Sequence, residues 1–155
     1  MRKKRVYKKF YQPDVQYNDL TVTRFINYLM REGKKSTAEK VFYGAFSEIK
    51  NKTKEEPFEV FKKAIDNASP LLEVASRRVG GANYQVPREV RPERKFFLAC
   101  RWIIEAARSA KGKPMAHKLA DEIIAASKND GTAIKKKQNI HKMAEANRAF
   151  AHFAR

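Results

Sequence analysis

The stretch LLEVASRRVGGANYQVPREVRPER, residues 71–94, is the part of the chain whose spacing is not helical. Val74, Ser76 and Arg78 alternate with Ala75, Arg77 and Val79, the pair Gly80-Gly81 follows, and Tyr84, Val86, Arg88 and Val90 then alternate with Gln85, Pro87, Glu89 and Arg91. A period of two on both sides of a glycine pair predicts a β-hairpin over residues 71–91. The glycines supply the positive φ of a tight reversal, and Pro87, which lacks an N–H, must turn its nitrogen to an unpaired edge. A two-stranded ribbon consists only of edges and tolerates it. Such a ribbon is marginal alone, so a body must anchor its base while its end projects.

The ribbon's chemistry points to polyanions. Arg77, Arg78, Arg88, Arg91 and Arg94 face only Glu73, Glu89 and Glu93, and Tyr84 and Gln85 add a stacking ring and an amide. Planar guanidinium forks and aromatic rings suit phosphates and unstacked bases. The plainer reading is a solvated hairpin whose arginines keep an edge soluble.

Composition narrows the partner. With 155 residues, 43% of them hydrophobic, the chain is expected to form one domain with a real core. Thirty-four Lys and Arg against 17 Asp and Glu give a net charge of +17, a surplus that self-repels and calls for a polyanion. Nucleic acid fits better than an anionic membrane, because the apolar residues are spread over interrupted helices and no segment approaches spanning length. The single cysteine, Cys100, sits in a helical apolar pattern and reads as a small buried hydrophobe. The amino terminus is basic but is followed by no apolar run, so a cytoplasmic protein without a membrane partner is expected.

Residues 1–17 open the chain as a basic arm. Arg2, Lys3, Lys4, Arg5, Lys8 and Lys9 are interleaved with Tyr7, Phe10 and Tyr11, with no periodic apolar face, so the arm is expected to be extended and to order on a phosphate backbone. Six helices are then expected. Val22, Phe25, Ile26, Leu29 and Met30 mark the first, stopped by Gly33; Ser36 and Glu39 open the second with a capping box beside Lys34 and Lys35. Phe58, Phe61, Ala64, Ile65 and Ala68 follow Pro57 in the third. Beyond the hairpin, Pro92 starts the fourth, with Phe96, Cys100, Ile103 and Ala107 on its apolar face; Met115, Leu119, Ala120 and Ile123 mark the fifth, ended by Asn129-Asp130-Gly131. The sixth runs from about Ala133 on an apolar stripe of Ile134, Ile140, Met143, Ala144 and Ala151, with Lys135, Lys136 and Lys137 in its first turns.

Catalysis finds no support. His117, His141 and His152 stand apart with neither HExxH nor a paired cysteine, no G-x-S-x-G occurs, and Glu105, Asp121 and Glu122 read as solvated charge on helix surfaces. Gly33-Lys34-Lys35-Ser36 is no P-loop, because Tyr28 stands where that motif needs glycine and no strand precedes it. A helix-turn-helix DNA binder is the rival reading, with the second helix in the major groove. Its surface is mixed, however, and the charge is scattered over an arm, a turn, a ribbon and a last helix. That distribution suits folded RNA, which surrounds its protein.

The order Asp19, Thr21, Phe25-Ile26, Gly33-Lys34-Lys35, Val41-Phe42 and Ala45 resembles the signature of the family of ribosomal protein seven of the small subunit. EVASRRVGGANYQVPREVRP is similar to that family's hairpin, and AIKKKQNIHKMAEANRAFAHF to its final helix. The resemblance implies a mainly α fold, a bundle of six helices with a protruding two-stranded β-hairpin between the third and fourth. It implies a primary binder of small-subunit rRNA that nucleates assembly of the 3′ major, or head, domain beside neighbouring proteins of the head and platform. It places the hairpin near the exit-site tRNA and the mRNA path, and implies that bacterial members can repress translation of their own message. No cofactor is implied. The family's rRNA contacts map to the arm (Arg2, Lys3, Lys4, Arg5, Lys8, Lys9), to Lys34 and Lys35, to Arg94 and Lys95, to the turn bearing Lys113 and Lys118, and to the last helix at Lys136. Arg77, Arg78, Gly80, Gly81, Tyr84 and Arg88 would form the hairpin surface near tRNA and mRNA. Ala75 departs from the pattern, since many relatives carry a further arginine there, and the short end after Phe153 implies that the longer tail of some bacterial relatives is missing.

Overall fold

The computed structural model describes residues 11–154. In chain order these form α1 (Leu20–Leu29), α2 (Lys35–Thr53), α3 (Pro57–Ala68), β1 (Leu72–Val79), β2 (Ala82–Glu89), α4 (Pro92–Ser109), α5 (Met115–Ser127), α6 (Thr132–Ala146) and a C-terminal 3₁₀ helix (Arg148–Ala154). The mainly helical bundle with a hairpin between α3 and α4 is as the sequence implies, with one helix more than expected. α6 stops at Ala146, where the Asn147 amide closes back on Glu145 and Met143, and the chain tightens into 3₁₀ geometry instead of continuing as one helix to Ala151. Met143, placed in the apolar stripe, is 50% exposed; Ala144, one residue on, takes the inward position.

Helix ends follow local chemistry. Asp19 caps α1, its carboxylate accepting from the Thr21 amide at 2.6 Å and from the Thr21 hydroxyl. Pro57 and Pro92 occupy the first turns of α3 and α4, where a missing N–H costs nothing. The capping box expected at Ser36 and Glu39 does not form. Glu32 and Gly33 turn through positive φ, the Lys34 amide bonds the Arg31 carbonyl at 2.9 Å, and α2 therefore begins at Lys35 with Lys34 as an N-cap whose side chain does not bond the helix amides. Ser36 is thus already inside the helix, and the Glu39 carboxylate lies 3.7 Å from the Lys35 ammonium.

The helices share one apolar core. α5 is its axis, packing on α2, α3, α4 and α6, and its Leu119, Ala120, Ile123 and Ala126 are fully buried. Beside it stands an aromatic cluster of Phe25, Phe42, Phe46 and Phe61, with Phe42 and Phe46 centroids 4.2 Å apart and Phe25 edge-on to Phe61 at 5.1 Å. Gly44 lets α2 and α5 approach closely, since a Cβ there would sit 3.3 Å from the Ala116 Cβ. Cys100 is fully buried in this core as expected, and burial pushes its thiol far above the usual range.

The described end of the expected arm, residues 11–17, is mostly exposed but touches the body at Gln12, Asp14 and Tyr17: the Gln12 carbonyl accepts from the Thr23 hydroxyl at 2.9 Å, and Tyr17 stacks on Phe58 at 5.5 Å and meets Phe46 edge-on at 5.2 Å. Asp14 is buried because its carboxylate is satisfied by the Gln16 and Tyr17 amides and by the Tyr43 hydroxyl at 2.7 Å. Arg2, Lys3, Lys4, Arg5, Lys8 and Lys9 lie outside the described residues.

Candidate nucleic-acid interface

The ribbon is an antiparallel pair with Arg77 opposite Tyr84, Arg78 opposite Asn83 and Val79 opposite Ala82. Gly80 and Gly81 both take positive φ, +55° and +91°, which matches the right-handed twist of the strands and requires residues without a Cβ penalty. Pro87 faces Val74 and is buried against the body.

The five ribbon arginines divide. Glu73, opposite Arg88, has a side chain only 14% exposed; its carboxylate accepts from the Arg88 Nε at 2.8 Å and from the Arg94 Nε at 3.3 Å. This cluster ties both strands to the first turn of α4. Arg88 and Arg94 therefore brace the ribbon's base. Arg77 is held further out, donating through Nη1 to the Phe153 carbonyl. Arg78 and Arg91 are exposed and carry no ion pair among the described residues. Tyr84 packs between Phe150 and Phe153, at 5.1 and 5.2 Å, so the 3₁₀ helix lies along β2. The ribbon projects, but its flank is covered by the chain's last described turn.

The other expected contact residues also separate by partner. Lys34 and Lys35 stand at the α1–α2 turn with their side chains 67% and 58% exposed, paired only with Glu32 and Glu39 on the surface. Such pairs contribute little and exchange readily for phosphate. Lys113 shares Asp121 with Lys52, at 2.9 and 2.5 Å, and Lys136 shares Glu105 with Arg101, at 2.8 and 2.7 Å. Bonds from Lys52 and Lys113 hold the Asp121 carboxyl below the usual carboxylate range, and those from Lys136 and Arg101 do the same for Glu105. These acids lie on helix surfaces as expected, their side chains 41% and 38% exposed, and each is also the centre of an ion-pair network. Glu122, the third, caps α6 by accepting from the Ala133 amide at 2.8 Å. Lys95 and Lys118 are half-buried and carry no ion pair among the described residues.

Two groups go beyond the sequence reading, which named Lys135 but not the face it belongs to. On α6, Lys135, Gln138, Asn139 and Lys142 are all exposed at helical spacing and make one cationic, amide-bearing face. The lysines beside it are engaged differently: Lys137 donates to the Asn67 carbonyl at 2.6 Å, and burial holds its ammonium below the ordinary lysine range. Periodicity against Ala133, Ile134, Ile140 and Ala144 would have singled out that face. The second group is Arg24, placed by α1 with its guanidinium 4.7 Å from the Phe96 ring centre. No local signal in α1 marks it.

Among the described residues no three His, Cys, Asp or Glu side chains gather to hold a metal, and no helix is long and apolar enough to cross a membrane. What does gather is cationic: a turn, a ribbon and a helix face, carried by a basic helical body. This is the build of a structural ribonucleoprotein component. The family model for ribosomal protein S7p/S5e matches residues 1–148. The small ribosomal subunit protein uS7 of Thermotoga petrophila is 58% identical over 99% of each chain, that of Thermotoga maritima is 57% identical over the same share, and that of an Anaeromyxobacter species is 53% identical over 98% of this chain and 97% of its own. The chain belongs to the ribosomal protein S7p/S5e family, as a structural, non-enzymatic constituent of the small subunit with rRNA and ribosomal proteins as partners and the cytoplasmic ribosome as its location.

Proposed function

We propose that this chain is a single rRNA-binding domain that makes a primary contact with the 3′ major domain of small-subunit rRNA and nucleates assembly of the head. The observation that carries the reading is the scatter of solvent-facing cations over separate elements, Lys34 and Lys35 in exposed surface pairs on a turn, Lys118 on α5, Lys135 and Lys142 on α6. A groove reader concentrates its charge on one helix, whereas a folded RNA meets several faces at once. The arm residues Arg2, Lys3, Lys4, Arg5, Lys8 and Lys9, with Lys95, Lys113 and Lys136, complete the proposed rRNA surface. Arg94 is assigned to it with a second role, since it also braces Glu73.

The ribbon surface, Arg78, Tyr84 and the Gly80-Gly81 tip with Arg77 and Arg88 behind it, is assigned to the neighbourhood of exit-site tRNA and mRNA. Rigid anchoring at Glu73 and along the 3₁₀ helix supports this, because a surface meant to meet a passing ligand needs a fixed position. The same RNA surface would serve self-repression, by competition between the protein's own message and rRNA. Footprinting of small-subunit rRNA with and without the protein tests the primary contact: protection confined to the head domain is expected, and equal affinity for random duplex DNA would overturn it. Deleting residues 79–83 and closing the strands tests the ribbon: subunits should assemble but hold exit-site tRNA poorly. A helical, monomeric deletion protein that cannot bind head RNA would instead move Arg77, Arg78 and Tyr84 into the primary contact.

A further inference from the structure

We propose that the groove between α1 and the first turns of α4 is a site for one unstacked nucleotide of single-stranded RNA, its base against Tyr28 and Phe97 and its phosphate on Arg24. The site deepens the rRNA-binding reading and rests on it. The groove encloses about 720 Å³, within the span of roughly 300–1,000 Å³ common for small-ligand sites. Arg24 and Tyr28, one turn apart on α1, face Arg94 and Phe97, nearly one turn apart on α4, with Tyr11 on the wall.

The chemistry of the lining is cationic and aromatic together. The Arg24 guanidinium lies over Phe96 at 4.7 Å and that of Arg94 near Phe97 at 5.4 Å, while the Tyr28 ring meets Phe97 edge-on at 5.4 Å. Glu93 is the one acid among the described residues of the lining. The decisive observation is Arg24 Nε, which is fully buried and has no hydrogen-bond partner among the described residues. Buried donors are nearly always satisfied, so this guanidinium is under-bonded, and its terminal nitrogens, on a half-buried residue that lines the groove, are the part of the fork an anion can reach. Arg94 is already bonded to Glu73, so Arg24 is the group that lacks an anion. A phosphate oxygen accepts from a guanidinium fork, and a base finds ring faces beside it. A carboxylate partner would satisfy Arg24 but leave the aromatic walls unused.

The full-length chain is titrated against a short single-stranded oligoribonucleotide carrying a fluorescent purine analogue, and in parallel against a head-domain rRNA transcript. Stacking should quench the analogue. Tyr28→Leu and Arg24→Gln should each weaken oligonucleotide binding by about tenfold, the order expected for losing one stacked base or one charge-assisted contact, while Lys128→Ala, an equal loss of charge outside the groove, keeps the quench. Should Arg24→Gln lose its helical circular dichroism, Arg24→Lys replaces it; the charge and stem remain but the fork is lost, and the quench must still fall. Unquenched fluorescence with the wild-type chain, or quenching unchanged in folded Tyr28 and Arg24 variants, overturns the site even if head rRNA binds. Failure of the wild type on head rRNA while the quench behaves as expected would overturn the wider reading and leave the groove standing.

Discussion

The helical body and the ribbon are held by different forces. In the body, α5 touches four other helices and its inward side chains are fully buried, so position follows from apolar burial on all sides. In the ribbon Val86, at 3% exposure, is a rare deeply buried apolar side chain, and the strands are fixed from outside by Arg94 of α4 on Glu73 at the base, by the 3₁₀ helix along β2 and by α6. The contrast teaches that the body is stable through its core, whereas the ribbon is stable only through its attachments. Loss of an attachment should therefore loosen the ribbon without unfolding the body.

The largest effect tests the body's side of the contrast. Phe42→Ala opens a cavity among Phe25, Phe46 and Phe61 and should cost about 3–5 kcal/mol in denaturant unfolding. A loss as small as that of a surface substitution would mean that the aromatic cluster is not the core's centre.

Next comes the ribbon's base. Glu73→Gln leaves Arg88 and Arg94 without their anion and should cost about 1 kcal/mol, moderated because both arginines are half exposed. Hydrogen exchange should quicken in β1 and β2 and stay slow in α5. Equal quickening in both would erase the proposed distinction.

Phe153→Ala removes one of the two rings against Tyr84. The expected cost is about 0.5–1.5 kcal/mol, read as faster exchange in β2 alone, and an unchanged β2 would show that the 3₁₀ helix does not brace it. The charged turn lies at the other extreme. Lys34→Ala or Lys35→Ala should leave stability within about 0.5 kcal/mol and lower the salt slope of RNA binding by roughly one unit. An unchanged slope and unchanged low-salt affinity would remove the turn from the interface.

The smallest effect is set by pH. His141 Nε2 accepts from the Leu71 amide at 3.1 Å, which requires a neutral ring, and burial followed by the charge of Lys137 holds its pKa below the usual value. A folded pKa below the unfolded value of about 6.5 means that the unfolded chain takes up the proton first. The contribution of His141 is therefore complete above that pH and is lost as pH falls through the folded pKa. Arg88, Glu89, Glu145 and Arg148 surround the same groove, so the measurement compares wild type with His141→Gln. The difference in exchange at the start of β1 should shrink on acidification, and a constant difference would rule the ring out as the titrating group.

Much of this was legible in the chain. Alternation around Gly80-Gly81 placed the hairpin to within two residues, and prolines 57 and 92 placed two helix starts, because both signals act over a few neighbouring residues. The capping box failed for the opposite reason. Ser36 and Glu39 have the right spacing, but the left-handed turn at Glu32 and Gly33 started the helix at Lys35.

The sequence by itself determined the helical periodicity, the ribbon with its glycine tip, the buried Cys100 and the excess of cations, since each is written in local order or in composition. Only the tertiary structure decided which cations are engaged. Arg88 and Arg94 meet at Glu73, Lys113 and Lys52 at Asp121, Lys136 and Arg101 at Glu105, and Arg77 reaches the Phe153 carbonyl. Most of these partners lie far apart along the chain and are brought together only when the helices pack, and a charge in a sequence is the same letter whether its counter-ion comes from the fold or from RNA.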